Sequence, residues 1–217
     1  MTSVMSIAGS IDVNAWREQA RALVLAGAEP AAVEWIDVDD PQGSLHGPGA
    51  ADVGPLFPSP AHAAGRRGPP AQPSPPPLLV PRSFLALARL VLAHRDPGKW
   101  ALLYRLLWRL TRGREGHGER HVLSNPLDDD THAANLMAKS VKRDAHKMKA
   151  FVRFRRVTSP SALGGIAEHY LAFHKPEHPI IRLVAPFFAR RFSVMAWTIL
   201  TPSGSATWDT RSLTFGP

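Results

Sequence analysis

His146 stands inside the run "KRDAHKMKAFVRFRR", residues 142–156, with seven Lys or Arg around it and one acid, Asp144. An imidazole there could serve as a general base if a pocket and a partner carboxylate oriented it. The sequence supplies neither visibly, so His146 is a weak catalytic candidate. The cations beside it suit phosphate contact better. On a helical wheel of about 100° per residue, Ala134, Met137, Val141, Ala145 and Met148 share one side, and Lys139, Lys142, Arg143, His146 and Lys149 share the other. If the next segment is a strand, Arg153 and Arg155 share a face opposite Val152 and Phe154. Helix stripe and strand arginines would then merge into one phosphate-tracking surface, with salt-dependent binding. The plainer reading is a solvated helix face whose lysines complement the C-terminal dipole.

Other groupings have ordinary explanations. "HKPEH" (174–178) has the H-x-x-E-H zinc spacing, but Pro176 and Pro179 disfavour the helix that would aim both histidines at one metal, so a turn is expected. The triplet Asp128, Asp129 and Asp130 could hold a cation through oxygens, yet helix capping accounts for it more simply. Trp197 and Trp208 could stack bases but read first as cross-strand packing partners. Arg190 and Arg191 either extend the basic surface or snorkel. No P-loop, dinucleotide or nucleophile-elbow motif occurs. No cofactor, no metal and no confident catalytic residue follow from these patterns.

These residues must be positioned by an α+β chain in three parts. Residues 1–40 read as a small βαβ-like unit. "SVMSIAG" is a strand, Asp12 or Asn14 caps a helix over "AWREQARALVLAG", Gly27 ends it, and "AVEWIDV" is a second strand. Residues 41–81 hold 12 of the 21 prolines and form a proline-rich linker. From 82 to 217 a helical segment precedes a small mixed β-rich segment. "RSFLALARLVLAHR" is a helix; Asp96 caps the next, with Pro97 at its first position. That helix places Trp100, Leu103, Leu107 and Leu110 on one seam and Arg105, Arg109 and Arg112 on another face. Gly113 stops it. A third helix spans about 128–149, a strand about 150–157, and "HYLAFH" another strand. "PIIRLVAPFFARRF" is a helix broken or kinked at Pro186, and "AWTILTPSGSATWD" a hairpin turning near Ser203–Gly204.

The totals agree. The formal charge is +8, made of −4 over residues 1–81 and +12 over 82–217, which points to a polyanionic partner. With no cysteine in the chain, disulfides, thiolate zinc sites, iron–sulfur clusters and cysteine nucleophiles are excluded. No signal peptide and no membrane span is expected, and a cytoplasmic location is the default.

The stretches "LLYRLLWRLTRG", "MAKSVKRDAHKMKAFVRFR", "KPEHPIIRLVAPFFARRFSVMAWTILTP" and "WDTRSLTFGP" together resemble DUF4130, a bacterial family described as probable DNA-metabolism proteins. The resemblance covers roughly 97–217 and is most specific from Met137 to Arg155, where Lys139, Arg143, Asp144, His146, Lys147 and Met148 match in order, then Phe151, Val152, Arg153 and Phe154. The head looks like the extension found when this domain is fused to a UdgX-type uracil-DNA-binding protein. Family members continue past "FGP" into a "YWKNLPE"-like run that is missing here, as is the glycosylase domain with its cysteine-bound cluster. The resemblance implies a DNA-repair context, with a radical-SAM or uracil-DNA glycosylase-type protein as partner or fused domain, and the one-sided basic stripe adds the expectation of an accessory DNA-binding module. The alternatives are a nucleic-acid-processing enzyme centred on His146 and a protein-interaction adaptor. The expected DNA-contacting set is Lys139, Lys142, Arg143, His146, Lys149, Arg153 and Arg155.

Overall fold

The computed structural model describes residues 3–7, 13–37, 78–113, 118–119, 121–160 and 166–216. At the head, β1 (Ser3–Ile7) and β2 (Val33–Asp37) pair in parallel, with Ser3 opposite Val33, and α1 (Val13–Leu25) is the crossover between them. Trp16, Ala20, Leu23 and Val24 are buried at helical spacing on α1. Gly27 ends the helix in a left-handed conformation (φ 73°) that lets its N–H reach Val24 O and the Ala28 N–H reach Leu23 O. Asn14 falls inside α1, while Asp12 and linker residues 41–77 lie outside the described residues.

Three helices follow: α2 (Arg82–Val91), α3 (Lys99–Thr111) and α4 (Asp129–Phe151). The α3 helix starts two residues later than Pro97 suggests. The Asp96 carboxylate still accepts from Gly98 N at 2.8 Å, but over a turn that precedes the helix. Past α4, strands β3 (Arg155–Pro160), β4 (Ile166–Phe173), β5 (Trp197–Thr201), β6 (Gly204–Trp208) and β7 (Leu213–Gly216) form one sheet in sequence order. Only β4 and β5 are parallel neighbours, because α5 (Ile181–Arg191) crosses between them. The α5 helix continues through Pro186 rather than breaking there. The hairpin turns at Pro202–Ser203, with Thr201 opposite Gly204. The fold is α+β, as the sequence indicates.

One expectation is corrected at the centre of the basic run. The strand expected at 150–157 starts only at Arg155, because α4 continues to Phe151 and its last turn is closed by Val152 N donating to Met148 O at 3.1 Å. The alternating "FVRFR" imitates a strand, but Val152 is buried at the helix end while Phe151 is 65% exposed.

Two apolar clusters meet along α4. The first joins the head to α2, α3 and the front of α4, with Trp16, Phe84, Trp100, Tyr104 and Ala134 at zero to 2% exposure. The second gathers Val141, Met148, Phe188, Trp197 and Ile199 between the back of α4, α5 and the inner sheet face. Tyr104 fastens the head to α3 through its hydroxyl, which donates to Ala28 O at 2.6 Å, and burial pushes that phenol up to about 12. No helix among the described residues is long and apolar enough to cross a membrane.

Candidate nucleic-acid interface

The α4 helix owes its 23 residues to signals at both ends. Asp128 caps it, accepting from Thr131 N at 2.9 Å, and Asp129 and Asp130 occupy its first turn, where the helix dipole favours anions. Arg109 of α3 gathers the acids, reaching Asp128 at 2.6 Å, Glu119 at 2.8 Å and Asp130 at 3.3 Å, while Arg105 adds a second bond to Asp130. Hydrogen bonding to Arg109 holds the Asp128 carboxyl below its usual range and raises the guanidinium. The arginine face of α3 thus joins two helices, a pairing that neither sequence pattern reveals alone. Arg112 turns the other way and donates to Val24 O at 3.2 Å.

The opposite end of α4 is basic and open. Lys139, Lys142, Arg143, His146, Lys147 and Lys149 are all exposed, while Ala134, Ala138, Val141, Ala145 and Met148 are buried. No carboxylate among the described residues pairs with any of these six cationic or imidazole side chains. Lys149 instead lies over the Phe187 ring of α5, 5.2 Å from its centroid. The two arginines beyond the helix part company. Arg153 sits outside the strand and folds back, Nη1 donating to Ala150 O at 2.7 Å and Val152 O at 3.1 Å, so it helps close the helix end. Arg155 is exposed on β3, the edge strand of the sheet. Phe154 packs inward, 5.3 to 5.9 Å from the rings of Phe192, Trp197 and Phe188.

Asp144, the one acid inside the run, is turned away from the stripe. It is 7% exposed and its Oδ2 accepts from His178 N at 2.9 Å, fixing the 174–180 loop to the helix. His146 lies on the outer side of the same helix, so the structure does not assemble an Asp144–His146 acid–base pair. The turn expected over "HKPEH" gave no sign of the role of His178, which is 2% exposed and fully engaged. Its Nδ1 accepts from Arg95 N at 3.3 Å, its Nε2 meets Ser140 Oγ at 2.9 Å, and its ring lies 4.3 Å from that of His94. Ser140, His178 and Asp144 have the composition of a hydrolase triad but the wrong bonding order. Asp144 holds the backbone of His178, not its ring, and an Nδ1 that accepts leaves the neutral imidazole's proton on Nε2, donated to Ser140. The serine is therefore not activated. His94 repeats the pattern, its Nδ1 accepting from Asp96 N at 3.1 Å, and burial lowers the proton affinity of both rings. The Pro179–Ile180–Ile181 run after His178 was the available hint that this loop enters the core.

The remaining candidates resolve readily. Trp197 is wholly buried, so of the facing Trp197–Trp208 pair it cannot stack a base, and Trp208 donates through Nε1 to Ser193 O at 3.1 Å. Among the described residues no group of three or more histidine or acidic side chains could hold a metal ion. Arg190 and Arg191 are exposed at the end of α5, Arg191 lying 5.7 Å from the Phe192 ring.

The fold and this surface define an α+β protein whose long helix has a one-sided cationic face with no carboxylate partner among the described residues. Residues 97–213, more than half of the chain, match the domain of unknown function DUF4130, and the chain belongs to that family. No curated protein and no solved structure matches it.

Proposed function

We propose that this protein is an accessory DNA-binding module in cytoplasmic DNA repair or metabolism, contacting phosphates through the outer face of α4. The observation that carries the reading is the contrast between two sets of cations. Arg105, Arg109 and Arg156 are matched to carboxylates, whereas Lys139, Lys142, Arg143 and His146 are exposed on one helix face with none among the described residues. Turning Asp144 inward takes the one acid within the run 142–156 away from them. Arg155 extends the set from the sheet edge, while Arg153 and Lys149 add charge from side chains already held by the helix end and by Phe187. A uracil-DNA glycosylase-type or radical-SAM protein is the partner that would supply chemistry.

The test is binding to duplex and single-stranded DNA titrated with salt. With about five phosphates engaged on duplex, log K should fall with log salt at a slope near −4 to −5. Reversing Lys142→Glu and Arg143→Glu together should weaken binding at least tenfold. Affinity that ignores both salt and the double reversal would sink the reading.

A second reading has its own observation. On the outer face of the sheet Val157, Leu171, Phe173 and Leu200 are 37 to 66% exposed. Such a face suits a protein-interaction adaptor. It predicts capture of a protein partner that survives high salt, with no DNA binding.

A further inference from the structure

Beside the basic stripe runs a groove of about 400 Å³ between α2 and α4. On α2 it is lined by Ser83, Ala86, Leu87 and Leu90, the i, i+3, i+4, i+7 positions of one face. On α4 the same spacing brings up Asn135, Ala138, Lys139 and Lys142. Beneath it Phe84, Ala88 and Val91 are buried with Ala134 and Val141, so the two helices are closely packed at the floor. The alanines at 86 and 138 leave the space open above that floor. One wall is thus aliphatic, and the other carries two lysines that have no carboxylate partner among the described residues.

The chemistry of the two walls selects the occupant. An aliphatic wall facing two ammonium groups suits a guest that carries an apolar face and an anion side by side, as a nucleotide does. A nucleobase is a slab whose stacking repeat is about 3.4 Å, thin enough to enter such a groove edge-on. In a duplex the base is stacked and paired, so only an unpaired strand can present it there.

We propose that this groove receives an unstacked nucleotide from a single-stranded nucleic acid. Its base lies against Leu87, Leu90 and the stems of the lysines, and its phosphate lies on the ammonium groups of Lys139 and Lys142. Ser83 and Asn135 are the groups able to hydrogen-bond a base edge. The inference rests on the phosphate-binding reading of α4 and adds a preference for unpaired strands.

The experiment uses the full chain and three labelled probes: a thymidine oligonucleotide, an abasic strand of the same length, and a blunt duplex. The intact strand should bind about tenfold more tightly than the abasic strand. Ala86→Leu, at an exposed helix position, fills the groove and should remove that difference while leaving abasic binding and the melting midpoint unchanged. Equal binding of intact and abasic strands, both still steeply salt-dependent, overturns the groove proposal and leaves the phosphate reading standing. No salt-dependent binding to any probe overturns both. Binding of an acidic amphipathic helical peptide that Ala86→Leu abolishes, without any base-dependent difference, overturns it in favour of a protein occupant.

Discussion

Asp144 and His146 are two residues apart and have opposite roles. The carboxylate is buried and holds the His178 N–H, while the imidazole is exposed on the basic face. Removing the carboxylate leaves a buried N–H unsatisfied, which costs about 1–3 kcal/mol. Asp144→Ala should therefore lower the unfolding free energy by that amount, and Asp144→Asn, which keeps an acceptor oxygen, by less. His146→Ala should change stability by no more than about 0.5 kcal/mol. Urea denaturation of the three variants checks this. An Asp144→Ala protein as stable as the native one would remove the anchoring role assigned to the carboxylate. Nothing local in the sequence encodes the contact, since its partners are 34 positions apart. "KRDAH" gives the charge of Asp144 but not its direction, although its wheel position beyond the basic stripe was readable.

At the scale of elements, α4 was legible because two independent signals coincide: an acidic cap at one end and an apolar period of about 3.6 along its length. Its far end was not, because "FVRFR" satisfies a period of two, and the helix boundary was decided by Val152 packing into the second core. The loops before α3 and α5 are stitched by the His94–His178 pair, which has a pH signature. Arg95 and Lys99 oppose protonation of both rings; Asp96 favours it at His94, and Asp144 and Glu177 favour it at His178. Burial outweighs those acids and lowers both pKa values below 6.5. A depressed folded pKa means that the unfolded chain binds more protons in this range. The stabilisation is therefore fully present above pH 6.5 and is lost as pH falls from there through the lowered folded values. Asp128, held down by Arg109, adds a separate loss only below 3.8. Thermal midpoints measured from pH 7.5 to 5 should fall, and His94→Gln should flatten that limb. A native midpoint constant across this range would contradict the neutral pair.

At the scale of the whole molecule, the matched family region begins at residue 97, yet the first core extends well outside it. Trp16, Ala20, Leu23, Val24 and Val33 of the head and Phe84, Ala88 and Val91 of α2 pack with Trp100, Leu103 and Tyr104. The sequence showed the head as a βαβ-like unit through its Gly27 stop and its two β-branched runs. It did not show where the head docks, because a proline-rich stretch separates the two and no periodicity crosses it. Docking on α3 makes the head part of the framework behind α4, since α2 and α3 support its front half. Fully burying a Trp, Leu or Val side chain contributes about 1.5–3 kcal/mol each, and a domain is typically stable by only about 5–15 kcal/mol in total. A chain starting at residue 78 should therefore unfold at a markedly lower urea concentration than the full protein and expose α3 to apolar dyes. DNA affinity of whatever fraction stays folded should be little changed, because the cations of α4 lie on its exposed face, away from the core that the head joins. Urea midpoints and dye binding of the two chains side by side decide the matter. Equal midpoints with no added dye binding would show that the head contributes nothing to the framework on which the basic helix is held.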